Sequence, residues 1–148
     1  MKEEDFWDLI DSVDTEALEE GDEEAAVSPL IDELAELSER RLQGFEEKLA
    51  KALYRLDGRK YAEAAGESGK SDDGFLYARC YVVGCGRKRY EQTLADPTMM
   101  PKSTDQWFEA LLYAAAEAWA QSTGRDPEEW DYDADLDYET GSNQEGWA

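Results

Sequence analysis

Histidine is absent from the 148 residues of this chain. Its absence removes the imidazole general base, the histidine-containing catalytic triads and the commonest metal ligand. Cysteine is scarce: Cys80 and Cys85 make up the total of two. Five residues apart, they would sit roughly 140° apart around a helix axis at 100° per residue, neither a disulfide pair nor the C-x-x-C pair of redox and zinc sites. No run approaches the roughly 20 consecutive apolar residues that a bilayer span needs, and Met1 to Asp5 are acidic where a secretory signal is basic. We therefore expect no membrane association, no cofactor, no metal centre and a cytoplasmic location.

Basic residues are few: 15 against 37 acids, for a net charge of -22. The excess is uneven. Residues 1–36 hold 15 acids and one lysine, residues 37–123 hold 13 of each sign, and residues 124–148 hold nine acids and one arginine. Such a field repels nucleic-acid phosphates and anionic lipid heads and attracts basic proteins or cations. It also keeps a protein soluble, which is the plainer consequence of net charge.

What is present reads as helix. Hydrophobic residues make up 41% of the chain, enough for one real core. Phe6, Trp7, Ile10 and Val13 recur at helical spacing among acids. The stretch Asp14 to Val27 reads as a mobile acidic connection or a weak helix. Ser28-Pro29 then offers an N-cap and first-turn proline for a helix carrying Leu30, Ile31, Leu34 and Leu37.

The clearest helix runs from Glu39 to about Leu56, with Leu42, Phe45, Leu49, Leu53 and Leu56 on one face and Glu47 and Lys51 as an i, i+4 pair on another. After the break at Asp57-Gly58 and a loop at Gly66–Lys70, the segment Asp72–Gly84 is apolar nearly all round, as a buried central helix is. A basic stretch, Arg87 to Leu94, follows and stops at Asp96-Pro97. Thr104-Asp105 is expected to open the last strong helix, with Trp107, Phe108, Leu111, Leu112, Ala115, Ala118 and Trp119 as its stripe and Thr123-Gly124 as its end.

The expected fold class is all-α: a single compact domain of about five to seven helices over residues 1–124, with an acidic tail over 125–148. In that tail Trp130, Tyr132, Ala134, Leu136 and Tyr138 alternate with Asp131, Asp133, Asp135, Asp137 and Glu139, the period of an extended chain with one acidic face. It either lies over its own domain or a partner, or has no fixed structure.

The candidate chemistry gathers at Ser71-Asp72-Asp73-Gly74, a hydroxyl and two carboxylates at a helix N-terminus. This arrangement serves as an N-cap, and equally as an electrostatic or binding feature. The preceding Gly66-Glu67-Ser68-Gly69-Lys70-Ser71 mimics a phosphate-binding loop, but the first glycine of that motif would fall at Ala64. Asp131, Asp133 and Asp135 open like a calcium loop, yet Leu136 takes the glycine position and Ser142 the bidentate glutamate position. Arg79, Arg87, Lys88 and Arg89, the densest basic group, are expected to pair with Asp72, Asp73 or Glu91.

From Ser71 to Pro97 the chain resembles an uncharacterised bacterial family, the domain of unknown function 4240. The residues that carry the likeness are Ser71-Asp72-Asp73-Gly74-Phe75, Tyr77, Arg79, Gly86-Arg87, Tyr90-Glu91, Leu94 and Asp96-Pro97. Phe6-Trp7 with Leu9-Ile10-Asp11, and Glu109 with Leu111-Leu112 and Thr123-Gly124, extend it to about residues 3–124. Departures lie between Asp57 and Lys70, where this chain carries Arg59, Lys60 and Lys70, and at Ala78, where an aromatic is usual. The resemblance implies a helical fold and marks Ser71 to Arg79 as the family signature, without an activity.

Three functions fit these residues. The first is a non-enzymatic binding or regulatory protein presenting its acidic ends, Asp11–Glu24 and Asp126–Glu139, to a basic protein, with the tail aromatics as anchors. The second is a small-ligand or metal-dependent site, or an enzyme, built on Asp72, Asp73, Arg79, Arg87 and Glu109, which requires those groups to converge. The third is a purely structural signature.

Overall fold

Acidic residues cap two of the early helices. Asp14 accepts from the Ala17 N–H and Asp22 from the Ala25 N–H, so of the two expectations for this acidic stretch, a mobile connection or a weak helix, the helical one holds. The computed structural model describes residues 1–148 and contains helices and turns but no strand.

Nine α-helices follow in order: α1 (Glu3–Ile10), α2 (Thr15–Glu19), α3 (Glu23–Leu34), α4 (Glu39–Arg55), α5 (Arg59–Ala64), α6 (Asp72–Gly84), α7 (Arg87–Ala95), α8 (Ala114–Thr123) and α9 (Gln144–Trp147). Single 3₁₀ turns form at Gly66–Lys70, Pro97–Met99, Glu109–Tyr113 and Pro127–Glu129. Nine exceeds the expected five to seven because α2 and α9 have five and four residues, too few for apolar spacing to show a period.

Ser28-Pro29 does not start a helix. α3 begins at Glu23 and carries Pro29 in its interior. The proline removes one backbone hydrogen bond to the preceding turn, but Ala26, Val27, Leu30 and Leu34 form a fully covered stripe that the uninterrupted helix buries. The last helix also starts later than Thr104. Phe108 leaves helical geometry at φ -140, ψ 58 and its N–H donates to the Tyr77 carbonyl, 3.1 Å. The Trp107 indole meanwhile donates to Ser68 Oγ at 2.9 Å. These tertiary bonds draw both aromatics inward, and Glu23 supplies a carboxylate to the Ala110 N–H, 3.0 Å, where the following turn begins. Gly124 then ends α8 at φ 75, the left-handed conformation that glycine takes without penalty.

A cluster of 34 buried hydrophobic residues makes one core. α6 runs through its middle, with Phe75, Ala78, Cys80, Val82 and Val83 at 0% exposure, flanked by α4, α7 and the Gly66–Lys70 and Glu109–Tyr113 turns. Gly84 lets Phe108 lie directly on the helix: a Cβ there would meet the ring at 2.5 Å. No helix is long and apolar enough to cross a membrane.

Candidate functional site

The signature segment caps α6 and splits over two of its faces. Ser71 Oγ accepts from the Gly74 N–H at 3.0 Å, and Asp72 and Asp73 follow as exposed first-turn acids, where the dipole favours negative charge. Residues four apart share a face. Asp73 and Tyr77 therefore look one way. Burial and the nearby Glu109, Asp73 and Tyr113 hold the Tyr77 phenol above its ordinary pKa, and the Tyr113 hydroxyl donates to Glu109 at 3.2 Å. Phe75 and Arg79 look another way, with the guanidinium carbon 4.7 Å from the Phe75 ring centroid.

Arg79 does not pair with Asp72 or Asp73, as its charge suggested. It lies at 0% exposure, and its Nη1 donates to the carbonyls of Leu53, 3.0 Å, and Tyr138, 2.9 Å. Nη2 donates to Thr140 Oγ1 at 3.1 Å, and that hydroxyl donates in turn to the Asp72 carbonyl at 2.7 Å. Desolvation lowers the guanidinium pKa, and the nearby Asp57 opposes that shift.

Asp57 is equally buried. Its carboxylate accepts from the Gly141 N–H at 3.1 Å, the Asn143 N–H at 2.9 Å and the Trp147 indole at 2.8 Å. Gly146 packs so closely here that a Cβ on it would meet the Asp57 carbonyl oxygen at 2.4 Å.

Arg87 stands apart. It forms an exposed pair with Glu91, 3.0 Å, one of the pairings its charge suggested. It lies beyond the far end of α6, whose 13 residues span about 20 Å at 1.5 Å per residue. The nine sequence candidates thus fall into three places: the cap with Asp73, Tyr77 and Glu109; the buried Phe75 and Arg79; and Arg87. Asp72, Asp73, Arg79, Arg87 and Glu109 do not share a pocket, and no three acidic or cysteine side chains are arranged to hold a metal ion. Burial pushes the Cys80 thiol up to about 12 and Cys85 to about 11, the opposite of an activated nucleophile.

An accumulation of unbalanced charge lies where residues 127–139 cross α4 and α8. A groove of about 640 Å³ is lined there by Glu46, Glu128, Asp133, Asp137 and Glu139, by the rings of Tyr113, Trp130, Tyr132 and Tyr138, and by no basic residue. Neutral donors hold the crossing together. The Trp130 indole donates to Glu46 at 3.2 Å, the Tyr132 hydroxyl donates to Glu47, and the Asp135 N–H donates to Glu47 at 3.0 Å. Glu47 was expected to pair with Lys51, but Lys51 reaches Glu3 instead, 3.7 Å. Desolvation, with help from Asp133 and Glu47, raises the Glu46 carboxyl to about 7 against the lowering effect of Trp130. Asp131, Asp133, Asp135, Asp137 and Glu139 remain exposed.

Residues 1–121 match the family described as "Protein of unknown function (DUF4240)". The chain belongs to this family. No curated protein and no solved structure matches it.

Within this DUF4240 chain, the signature, Asp57 and Glu46 fall inside the matched region, while every tail group that touches them falls outside it. Asp57, Glu46 and Glu47 were not legible as site residues. Asp57-Gly58 carries only the mark of a helix break, and the two glutamates look like any solvent-facing pair on an amphipathic helix. The alternation of aromatic and acid over 130–139 was the one available signal that something must receive the tail.

Proposed function

We propose that this is a cytoplasmic, non-enzymatic binding protein that engages a basic protein partner through its acidic, extended C-terminal tail, with the acidic stretch Asp11–Glu24 adding to the field. The observation that carries this reading is the groove between the tail and α4, which collects five carboxylates and four aromatic rings without a cation.

Like charges so gathered repel one another, and a partner's lysine or arginine relieves that repulsion. Aromatic faces add cation–π attraction to such a side chain, about 0.5 to 2 kcal/mol each. Partial desolvation, which lifts Glu46, also strengthens its attraction for an incoming cation. A bound cation favours the ionised form of Glu46, so binding releases a proton and tightens as pH rises through about 7.

Affinity purification from the host at low and high salt tests this, comparing the wild-type chain with full-length Asp133→Lys/Asp137→Lys. Capture of a basic protein that is lost both with salt and with charge reversal supports the reading. Partners that are neutral or acidic, or capture indifferent to the reversal, would sink it.

A further inference from the structure

Buried charges need partners, and those of Arg79 and Asp57 come from far along the chain. Both side chains lie at 0% exposure within the region that matches the family. Of the groups bonded to them, only the Leu53 carbonyl belongs to that region. The Tyr138 carbonyl, the Thr140 hydroxyl, the Gly141 and Asn143 N–H groups and the Trp147 indole all lie beyond residue 121.

With residues 138–147 lifted away, the domain would present the Asp57 carboxylate at the α4–α5 corner and the Arg79 guanidinium of α6, which reaches the end of α4 at Leu53, flanked by the Phe75 ring. That ring now meets Trp147 edge-on at 5.9 Å. A cationic fork that takes two acceptors, a carboxylate that takes two backbone donors, and an aromatic wall together match a peptide that turns, as residues 139–142 do, and ends in a short helix like α9.

The present occupant also fills the site incompletely. Arg79 Nε is buried and donates to nothing, although an unsatisfied buried donor costs about 1 to 3 kcal/mol. A segment fully adapted to this site would supply an acceptor there.

We propose that Arg79 and Asp57 form a binding site for a polypeptide segment that turns and ends in a short helix, that residues 138–147 occupy it as a built-in ligand, and that the same segment of a second copy of this chain binds in trans when the built-in one lifts. This site is separate from the acidic groove, and its test does not depend on that reading.

The probe is a fluorescently labelled synthetic peptide of residues 136–148. It is titrated against full-length wild-type protein, full-length Gly146→Ala and full-length Gly146→Ala/Asp57→Ala. The Gly146→Ala change crowds the Asp57 carbonyl oxygen and loosens the strap without removing a binding group. Apparent affinity scales with the open fraction of the site, so the Gly146→Ala protein is expected to bind the peptide at least about tenfold more tightly than wild type. Loss of binding in the double variant completes the support.

A folded Gly146→Ala protein that ignores the peptide overturns the proposal, as does binding that survives Asp57→Ala. Hydrogen exchange on the wild-type chain decides the matter even where the variants fail to fold. The Gly141 and Asn143 amides are expected to exchange through a local opening, faster than those of Val82 and Val83; exchange of all four only with global unfolding overturns it.

Discussion

The tail meets the rest of the molecule twice, and the two meetings treat charge in opposite ways. At the α4–α5 corner, neutral backbone and side-chain groups from residues 138–147 bond the buried Asp57 carboxylate and the Nη groups of buried Arg79. Along α4 and α8, residues 127–139 add further acids to Glu46 and Glu47 and leave the sum without a cation. The first arrangement spends its polar groups internally and favours a fixed structure. The second keeps the charge of the tail acids facing water, where it contributes little to stability and acts at a distance, while Glu46 beneath them is partly desolvated. The C-terminal segment is therefore bonded to buried charge at one end and adds exposed acids at the other.

The sharpest way to break this comparison is Arg79→Ala. It leaves the Tyr138 carbonyl without a donor, takes one of two donors from the Leu53 carbonyl and empties a fully buried side-chain volume, and is expected to cost about 3 to 5 kcal/mol in urea unfolding. A loss no larger than that of a surface substitution would show that the corner is not a fastening. Asp57→Ala strands the Gly141 and Asn143 N–H groups and the Trp147 indole and is expected to cost about 2 to 3 kcal/mol, measured the same way.

The groove is expected to show itself through pH. Glu46 has a folded-state pKa raised from 4.5 to about 7. Its contribution to stability is fully present below 4.5 and is lost as pH rises through about 7. Glu46→Gln is expected to remove this component, so that urea midpoints of variant and wild type diverge between pH 5 and 8 in favour of the variant. A constant difference across that range would mean that Glu46 is not desolvated by the tail. The smallest effect is expected for Asp133→Lys/Asp137→Lys, within about 0.5 kcal/mol of wild type because both positions are exposed. Its consequence is read in partner capture instead.

Much of the helical scaffold was legible beforehand. Ser38 and Ser71 cap α4 and α6, and the apolar spacing from Leu42 to Leu53 and the all-round apolar surface of Asp72–Gly84 match the observed helices closely. The misses share one cause. Pro29 and Thr104 were read by local rules, but burial of Ala26 to Leu34 and the inward hydrogen bonds of Trp107 and Phe108 outweighed them. Arg79 was assigned to acids near it in sequence, yet carbonyls 26 and 59 residues away hold it. Its place within a nearly continuous apolar run was the only hint that it would be buried.

By itself the sequence determined the helical class, the buried axis at Asp72–Gly84, the acidic ends and the exclusion of histidine chemistry, because periodicity, capping residues and composition act over a few neighbours or over the whole chain at once. The tertiary structure alone decided that Arg79 and Asp57 are buried charges bonded by the tail, and that Glu46 sits in a cation-free groove. Both depend on which residues meet across gaps of 59 to 90 positions, and hydrogen bonding and desolvation at such meetings leave no trace in local pattern.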